Sequence, residues 1–144
     1  MSPEKIYEYE VAITGATDFG VSLEDIMTGK APMPPQGARV DFTFEGRSTG
    51  RIIGRLWGID YFYLRPDGRN ELNIRGVIET DDGARISLEA DGVATPRADG
   101  TGLDLFENVR LTTASPEYAW VNTRQIWASG SSADGKIRIS AYLP

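Results

Sequence analysis

Apolar and polar residues alternate with a two-residue period along most of the chain, and this pattern is typical of β-strands with one buried face. It predicts nine candidate strands, at residues 6–14, 38–44, 47–57, 59–65, 71–80, 84–93, 103–113, 124–129 and 136–143. Eight or nine sequential strands joined by short turns indicate an all-β fold, either a closed antiparallel barrel or a sandwich. We favour a closed barrel of about eight or more strands.

Three segments between candidate strands share one turn chemistry, in which an Asp is followed by a Gly; they are residues 66–68, 81–83 and 133–135. Each fits a type I turn followed by a left-handed glycine, which is the usual three-residue hairpin loop. At the second loop, this length places Arg75 opposite Glu89 on one face and Ile78 opposite Ile86 on the other. Because opposite charges and apolar residues then pair across the ladder, we favour this register.

One short helix is predicted near the N-terminus, from Ser22 to Gly29. A Ser-x-x-Asp capping pattern opens this segment and a glycine ends it. Residues 30–37 follow with three prolines, which predicts a surface loop. Two interpretations remain for the whole segment: a lid over one mouth of the barrel, or a plug or connector.

The composition narrows the chemistry, because the chain of 144 residues contains no Cys and no His. Cysteine nucleophiles, zinc sites with nitrogen or sulfur ligands, haem or iron–sulfur ligation, and Ser-His-Asp triads are therefore excluded. The carboxylates show no EF-hand spacing, and the sequence has no glycine-rich phosphate loop after a strand. We therefore expect neither a metal nor another cofactor.

The net charge of −6 disfavours nucleic acid as a partner, since an acidic surface repels phosphate groups. The sequence begins without the basic and apolar regions of a signal peptide, and it has no apolar run long enough for a membrane-spanning helix. These features predict a single cytoplasmic domain over residues 1–144, with no membrane partner. An apolar patch on the outer wall of a barrel would also suit a homodimer.

Two blocks of residues carry a resemblance to a known family. The first contains Gly58-Ile59-Asp60, Arg65-Pro66-Asp67-Gly68 and Thr80-Asp81-Asp82-Gly83, and the second contains Tyr118-Ala119-Trp120-Val121-Asn122. In this order they resemble the bacterial and fungal family called domain of unknown function 3237, or uncharacterised protein family 0311. The resemblance implies a barrel of eight or more antiparallel strands with an internal pocket, either calycin-like or allene-oxide-cyclase-like. It implies no settled reaction, and little of the chain before Gly37 can be aligned.

Asp60 is the first candidate for catalysis, and its surroundings depend on the length of the loop at 66–68. With an even-length loop, Asp60 lies opposite Arg75, which already faces Glu89, and the three form one charged layer. With a three-residue loop, Asp60 instead meets Ile74 on the apolar face. Burial there would raise the pKa of Asp60 towards the range of a general acid or base. The sequence leaves both registers open.

The charged layer has two interpretations of its own. On the outer wall, Arg75 and Glu89 would form an ion pair in contact with solvent around a filled interior. Facing the lumen, Arg75 would stabilise a developing oxyanion and Glu89 would contact the substrate. A charged layer inside a barrel would serve a ligand, because apolar packing would be at least as stable.

Tyr118, Trp120 and Asn122 alternate on a short segment that we interpret as extended, so they would share one face. The two rings offer flat apolar surface with one hydrogen-bond donor each, and the amide offers a donor and an acceptor. This combination suits an aromatic or oxygenated organic ligand. A core aromatic pair with a satisfied amide is the alternative.

Three hypotheses about function follow. The first is a cofactor-free enzyme, an isomerase, a lyase or hydratase, or a cyclase, in which Asp60 moves protons on a small organic molecule in the lumen. The second is a barrel that binds or carries an apolar metabolite without converting it. The third is a solid barrel with a structural role. We favour the first, because Asp60, Arg75 and Asn122 are polar residues at positions of the family pattern.

Overall fold

Residues 2–144, which the computed structural model describes, form a closed barrel of eight antiparallel strands and two short helical segments. The strands are β1 (Glu4–Asp18), β2 (Ala38–Gly50), β3 (Gly54–Leu64), β4 (Asn70–Thr80), β5 (Arg85–Pro96), β6 (Leu103–Thr112), β7 (Ile126–Ala133) and β8 (Lys136–Leu143). Each strand pairs with its neighbour in sequence, and β1 closes the barrel on β8. The predicted all-β barrel is therefore confirmed.

The core of the protein is the lumen of this barrel, as the two-residue alternation requires. On β3, for example, Leu56, Phe62 and Leu64 are buried while Arg55 between two inward positions is exposed. Inward-facing Ile and Leu side chains from the other strands complete the filling, among them Ile6, Ile74, Ile78, Ile86, Leu88, Leu105, Leu111, Ile126 and Ile139. Alternation along each strand thus separates an apolar interior from a charged outer wall.

The predicted boundaries of the second to fourth candidate strands are wrong. The chain continues as one strand to Gly50, turns through residues 51–53 and begins β3 at Gly54. Gly50 has a φ of 103°, a conformation that side chains with a Cβ rarely adopt, so it supplies the turn. The Ser48 hydroxyl closes the turn by donating to the carbonyl oxygen of Ile52 at 2.7 Å.

The hairpin loops follow their turn chemistry, with one exception. The loop at 81–83 has three residues, and the predicted pairing of Arg75 with Glu89 is confirmed. The loop at 133–135 is one residue shorter than predicted, because Ala133 pairs with Lys136. Asp134 and Gly135 have φ values of 54° and 76°, and Asp-Gly is a favoured pair for such a two-residue type I′ turn.

The two ends of the barrel are covered by different segments, since the connections after β1 and after β6 emerge at opposite ends. At the first end lies helix α1 (Leu23–Met27), where the Ser22 hydroxyl accepts a hydrogen bond from the backbone N–H of Asp25 at 3.1 Å. The predicted capped helix is therefore confirmed. At the second end lies a 3-10 helix (Pro116–Val121), whose Val121 is buried in the core.

Within residues 2–144, neither helical segment is long and apolar enough to cross a membrane.

Candidate functional site

Asp60 lies inside the barrel, with 8% of its surface exposed. It pairs across the ladder with Ile74, so the structure has the second of the two registers left open by the sequence. Its carboxylate accepts a hydrogen bond from the backbone N–H of Asn73 at 3.0 Å. Burial raises the pKa of Asp60 to about 6, against the opposing effect of that hydrogen bond, and the charge of Asp41 adds to the increase.

Glu107 is a second carboxyl group inside the barrel, and the sequence analysis missed it. It lies on β6 with 6% of its surface exposed, between the inward-facing residues Leu105 and Val109. Burial raises the pKa of Glu107 to about 8, and the charge of Asp60 contributes to this shift. A signal was present in the sequence, because Glu107 occupies an apolar phase of the alternation from Leu103 to Leu111.

Two tyrosines of β1 reach the same interior. Tyr7 and Tyr9 are buried, and their ring centroids lie 6.2 Å apart in a stacked arrangement. Burial is the main cause that raises the pKa of each hydroxyl, and the charge of Glu107 raises both further. Within the described chain, the Tyr7 hydroxyl and Glu107 Oε2 are buried without a hydrogen-bond partner. The interior thus holds titratable groups that carry protons more readily than they do in water.

A cavity of about 150 Å³ lies under α1 and reaches Asp60. Apart from Asp60 and Ser132, its walls are apolar, and they include Leu23 of α1. The apolar lining consists of Ile13, Leu23, Phe42, Phe44, Phe62, Leu72, Leu103, Leu105 and Ile137. A cavity of this size and lining accommodates a benzene-sized molecule. The carboxyl of Asp60 is therefore the main polar feature that such a molecule would meet.

Arg75 and Glu89 face outwards and lie on the opposite side of the wall from Asp60. Arg75 donates hydrogen bonds to Asn73 Oδ1 at 3.1 Å and to the carbonyl oxygen of Ile74 at 3.2 Å. The single layer of Asp60, Arg75 and Glu89 is therefore wrong, because a three-residue loop shifts Asp60 to the inner face. The chemical roles assigned to Arg75 and Glu89 stay predictions.

The segment containing Tyr118, Trp120 and Asn122 is a 3-10 helix and its C-cap, so the extended run predicted there is wrong. Pro116 in its first turn suits a helix start better than a strand. With three residues per turn, side chains two positions apart do not share a face. The segment also lies at the end of the barrel opposite to α1, so the structure does not bring these residues together with Asp60.

Each of the three side chains has a contact at that end. The Tyr118 hydroxyl donates to Asp82 Oδ2 at 2.9 Å, and the Trp120 ring lies 4.0 Å from the Arg51 guanidinium carbon. The Asn122 amide bonds both the N–H and the C=O of Thr113, each at 2.8 Å. These contacts give the segment a structural explanation, and its predicted role in substrate binding stays a prediction.

A larger groove of about 910 Å³ lies on the outer wall and is lined by outward-facing aromatic side chains such as Tyr61, Tyr63, Phe106 and Trp127. Size would favour this groove as a site, and Glu107 also borders it, but Asp60 lines the cavity inside the barrel and not this groove. Perturbed titratable groups are the better indicator of chemistry, so we place the candidate site inside the barrel. Nowhere in residues 2–144 do three or more acidic side chains cluster in a way that could hold a metal ion.

Similar proteins are known at the levels of sequence and of fold. A curated UPF0311 protein of Clostridium acetobutylicum is 32% identical over 94 residues, which are 64% of this chain and 56% of that protein. The chain thus aligns with little more than half the length of this relative.

Two crystal structures show the same fold. One is a protein of unknown function from C. acetobutylicum, with 22% identity, a TM-score of 0.83, and coverage of 100% of this chain and 99% of the other. The other is described as an enzyme from Penicillium herquei, with 17% identity, a TM-score of 0.65, and coverage of 99% and 96%. At the level of sequence, the family model described as "Protein of unknown function (DUF3237)" matches residues 12–143, and the chain belongs to this family.

Proposed function

We propose that this protein is a cofactor-independent acid–base enzyme that acts on a small apolar or aromatic oxygenated compound held in the barrel. The observation that carries this proposal is the position of Asp60, which lines an otherwise apolar cavity and has a pKa of about 6. A base is most effective when its pKa lies near the working pH, because it is then both ionised and basic. Burial of Asp60 provides that match at near-neutral pH.

The charges of the interior limit the substrate. The buried ionisable side chains of residues 2–144 are carboxyls and tyrosines, without a Lys or Arg among them. An anionic substrate would therefore enter an apolar cavity beside Asp60 without a compensating positive charge, which is strongly unfavourable. The substrate that fits is neutral, is no larger than the cavity allows, and has one polar or acidic position that contacts Asp60.

Glu107 complements Asp60 in this proposal. With pKa values of about 8 and about 6, Glu107 is mostly protonated at neutral pH while Asp60 is mostly ionised. Two carboxyls whose surroundings separate their pKa values are suited to opposite roles, one as acid and one as base. Isomerisation, elimination or addition of water, and cyclisation can all use such a pair. The description of the P. herquei relative as an enzyme supports catalysis on this fold.

The test is a panel of small neutral cyclic ketones, phenols and unsaturated alcohols, incubated with the protein in D2O and followed by NMR. We expect at least one compound to exchange a C–H proton or to change its structure at a rate above that in buffer. Asp60→Asn should abolish this activity, whereas the outward-facing Glu89→Gln variant should retain it. Full activity of Asp60→Asn would contradict the proposal.

A barrel that only carries an apolar metabolite is the second candidate, and the apolar lining of the cavity favours it. Saturation-transfer NMR with the same panel distinguishes the two. A carrier would bind a compound in both the wild-type and the Asp60→Asn protein without any exchange or conversion.

A further inference from the structure

Tyr7 and Glu107 lie on one inward-facing row of the barrel. Going around the wall from β1, the pairing connects Tyr7 to Ala141, Ala141 to Ala128, and Ala128 to Glu107. The two residues between them carry only a methyl group each. The long polar side chains of Tyr7 and Glu107 therefore flank a part of the inner wall where the side chains are short.

Both of these side chains end in an unsatisfied polar atom. The Tyr7 hydroxyl and Glu107 Oε2 are fully buried, and no atom of residues 2–144 forms a hydrogen bond with either. Buried polar atoms in native proteins nearly always have a partner, and leaving one unpaired is costly. The partner of this pair must therefore come from outside the protein, as a water molecule or as an atom of a ligand.

The protonation of the pair identifies the kind of partner. Burial keeps the proton on Tyr7, and the pKa of about 8 keeps it on Glu107 at neutral pH. A phenol and a carboxylic acid that retain their protons are both O–H donors. The atom that would satisfy both is an oxygen acceptor, and it gains most from them if it develops negative charge.

We infer that the Tyr7 hydroxyl and the Glu107 carboxyl bind the carbonyl oxygen of the substrate, while Asp60 contacts the carbon next to that carbonyl. The substrates would then be neutral ketones or aldehydes with a C–H group next to the carbonyl. This inference rests on the proposed function, since it needs Asp60 as the base.

The chemical step balances without a further reactant. The Asp60 carboxylate takes the proton from the carbon next to the carbonyl, and the C–H electron pair forms a C=C bond. The π-electron pair of the carbonyl moves to its oxygen, which Tyr7 and Glu107 stabilise by hydrogen bonding. Return of the proton from Asp60 to the same carbon gives exchange, and return to a conjugated carbon gives an isomer. An aspartate base with a tyrosine and a protonated carboxylic acid is a known arrangement for such enolates.

The experiment uses 4-nitrophenol as a probe, because its phenolate resembles an enolate and absorbs visible light differently from the phenol. Asp60→Asn mimics the state after proton transfer, when Asp60 is neutral and the negative charge lies on the ligand. We expect this variant to bind the phenolate at least about tenfold more tightly than the wild type, because it removes the like charge of Asp60. The same substitution abolishes proton exchange, so one variant has opposite effects on the two readouts.

The donors are tested on the Asp60→Asn background. Adding Tyr7→Phe or Glu107→Leu should weaken phenolate binding by about tenfold or more, as expected for loss of a hydrogen bond to a charged oxygen. Glu107→Gln should recover part of the affinity, since its amide still donates. Tyr142→Phe, on the outward face of β8, is the matched control and should leave binding unchanged. Circular dichroism verifies folding, and Tyr7→Phe removes only one oxygen atom.

The outcomes separate the inference from the proposed function. Tight phenolate binding that depends on Tyr7 and Glu107, without conversion of any ketone, would support the donor pair and contradict the enzyme. Conversion that depends on Asp60 but is unaffected by Tyr7→Phe and Glu107→Leu would overturn the donor pair and leave the enzyme. If Asp60→Asn binds no phenolate, the pair holds only an ordered water and the inference is wrong.

Discussion

The carboxylate of Asp60 accepts a hydrogen bond from the backbone N–H of Asn73 at 3.0 Å, at a point where the pairing of β3 with β4 is interrupted. The side chain of one strand thus satisfies a backbone donor of the next. This hydrogen bond favours the ionised carboxylate, while burial favours the neutral acid. Burial has the larger effect, and its result is a positioned carboxylate that is more basic than an exposed one.

The first prediction follows from that contact and concerns stability. Asp60→Ala should lower the free energy of unfolding by about 1–3 kcal/mol, because it leaves the N–H of Asn73 without its partner in a partly buried setting. Asp60→Asn should cost much less, since its amide oxygen can accept the same hydrogen bond. Urea unfolding at pH 5 measures both variants. Equal losses for the two would show that the hydrogen bond contributes little.

The second prediction concerns the dependence of stability on pH. The folded-state pKa values of Asp60 and Glu107 are raised, from 3.8 to about 6 and from 4.5 to about 8. The folded protein therefore holds protons that the unfolded chain releases, so stability falls as the pH rises. The two contributions are present in full below about pH 4, and they are lost through pH 6 for Asp60 and pH 8 for Glu107. For Asp60 alone the loss is about 3 kcal/mol.

Urea midpoints of the wild type between pH 5 and 9 should show this loss, and two variants assign it. Glu107→Gln is neutral throughout, so it should remove the loss of stability between about pH 6 and pH 8 and exceed the wild type in stability at pH 9. Glu89→Gln makes the same substitution on the outer wall and should follow the wild-type curve. A wild-type curve that rises from pH 6 to 9 would contradict the prediction.

Much of the fold could be predicted from the sequence because turn chemistry and alternation act locally. The register around 81–83 is determined by paired charges on one face and paired aliphatic residues on the other. The same dependence on local signals explains two wrong predictions. These are the three-residue loop expected at 133–135 and the extended segment expected where the 3-10 helix begins at Pro116. In both places two local backbone geometries fit the same residues. Which of the two forms depends on the strands that the segment connects.

The candidate site was harder to predict, since it depends on contacts between distant strands. Asp60 was identified, but its side of the wall depended on a loop length that the sequence left open. Glu107 was missed although it interrupts an apolar phase, because it lies outside the two blocks that carry the family resemblance. Its significance appears only when the closed barrel brings β6 opposite β1 and β3, with Tyr7 and Asp60.

The third prediction separates structure from binding at the far end of the barrel. Asn122→Ala should lower the free energy of unfolding by about 1–2 kcal/mol, because it removes both hydrogen bonds to the backbone of Thr113. Binding of 4-nitrophenol by the folded protein should not change, since Asn122 lies away from the cavity. The exposed neighbour Thr123→Ala is the control and should have little effect. Loss of binding without loss of stability would instead support the substrate-binding role predicted from the sequence.

The fourth prediction concerns Gly92, which pairs across the ladder with Glu107. A Cβ at Gly92 would lie only 1.8 Å from the backbone carbonyl oxygen of Phe106, so the strands must separate to accept one. Gly92→Ala should therefore reduce the free energy of unfolding by about 3 kcal/mol. Because it moves the backbone next to Glu107, it should also shift the pH at which the contribution of Glu107 to stability is lost. At Gly76 the nearest contact would be 2.9 Å, so Gly76→Ala should cost less. Similar losses measured by urea unfolding would contradict this account of β5.

The last prediction tests whether the cavity under α1 is the binding site. Leu23 lines the cavity, whereas Met27 on the same helix is 50% exposed. Leu23→Trp should fill the cavity and reduce binding of toluene, a probe of suitable size, by about tenfold or more, because an occupied cavity offers no apolar surface to bury. Met27→Trp adds the same side chain to the same helix but points it at solvent, so it should bind toluene as the wild type does. Ligand-observed NMR at matched concentrations gives both affinities. Because thermal melting monitors folding of both proteins, equal binding by two folded variants would place the ligand outside the lumen and remove the basis for Asp60 as the base.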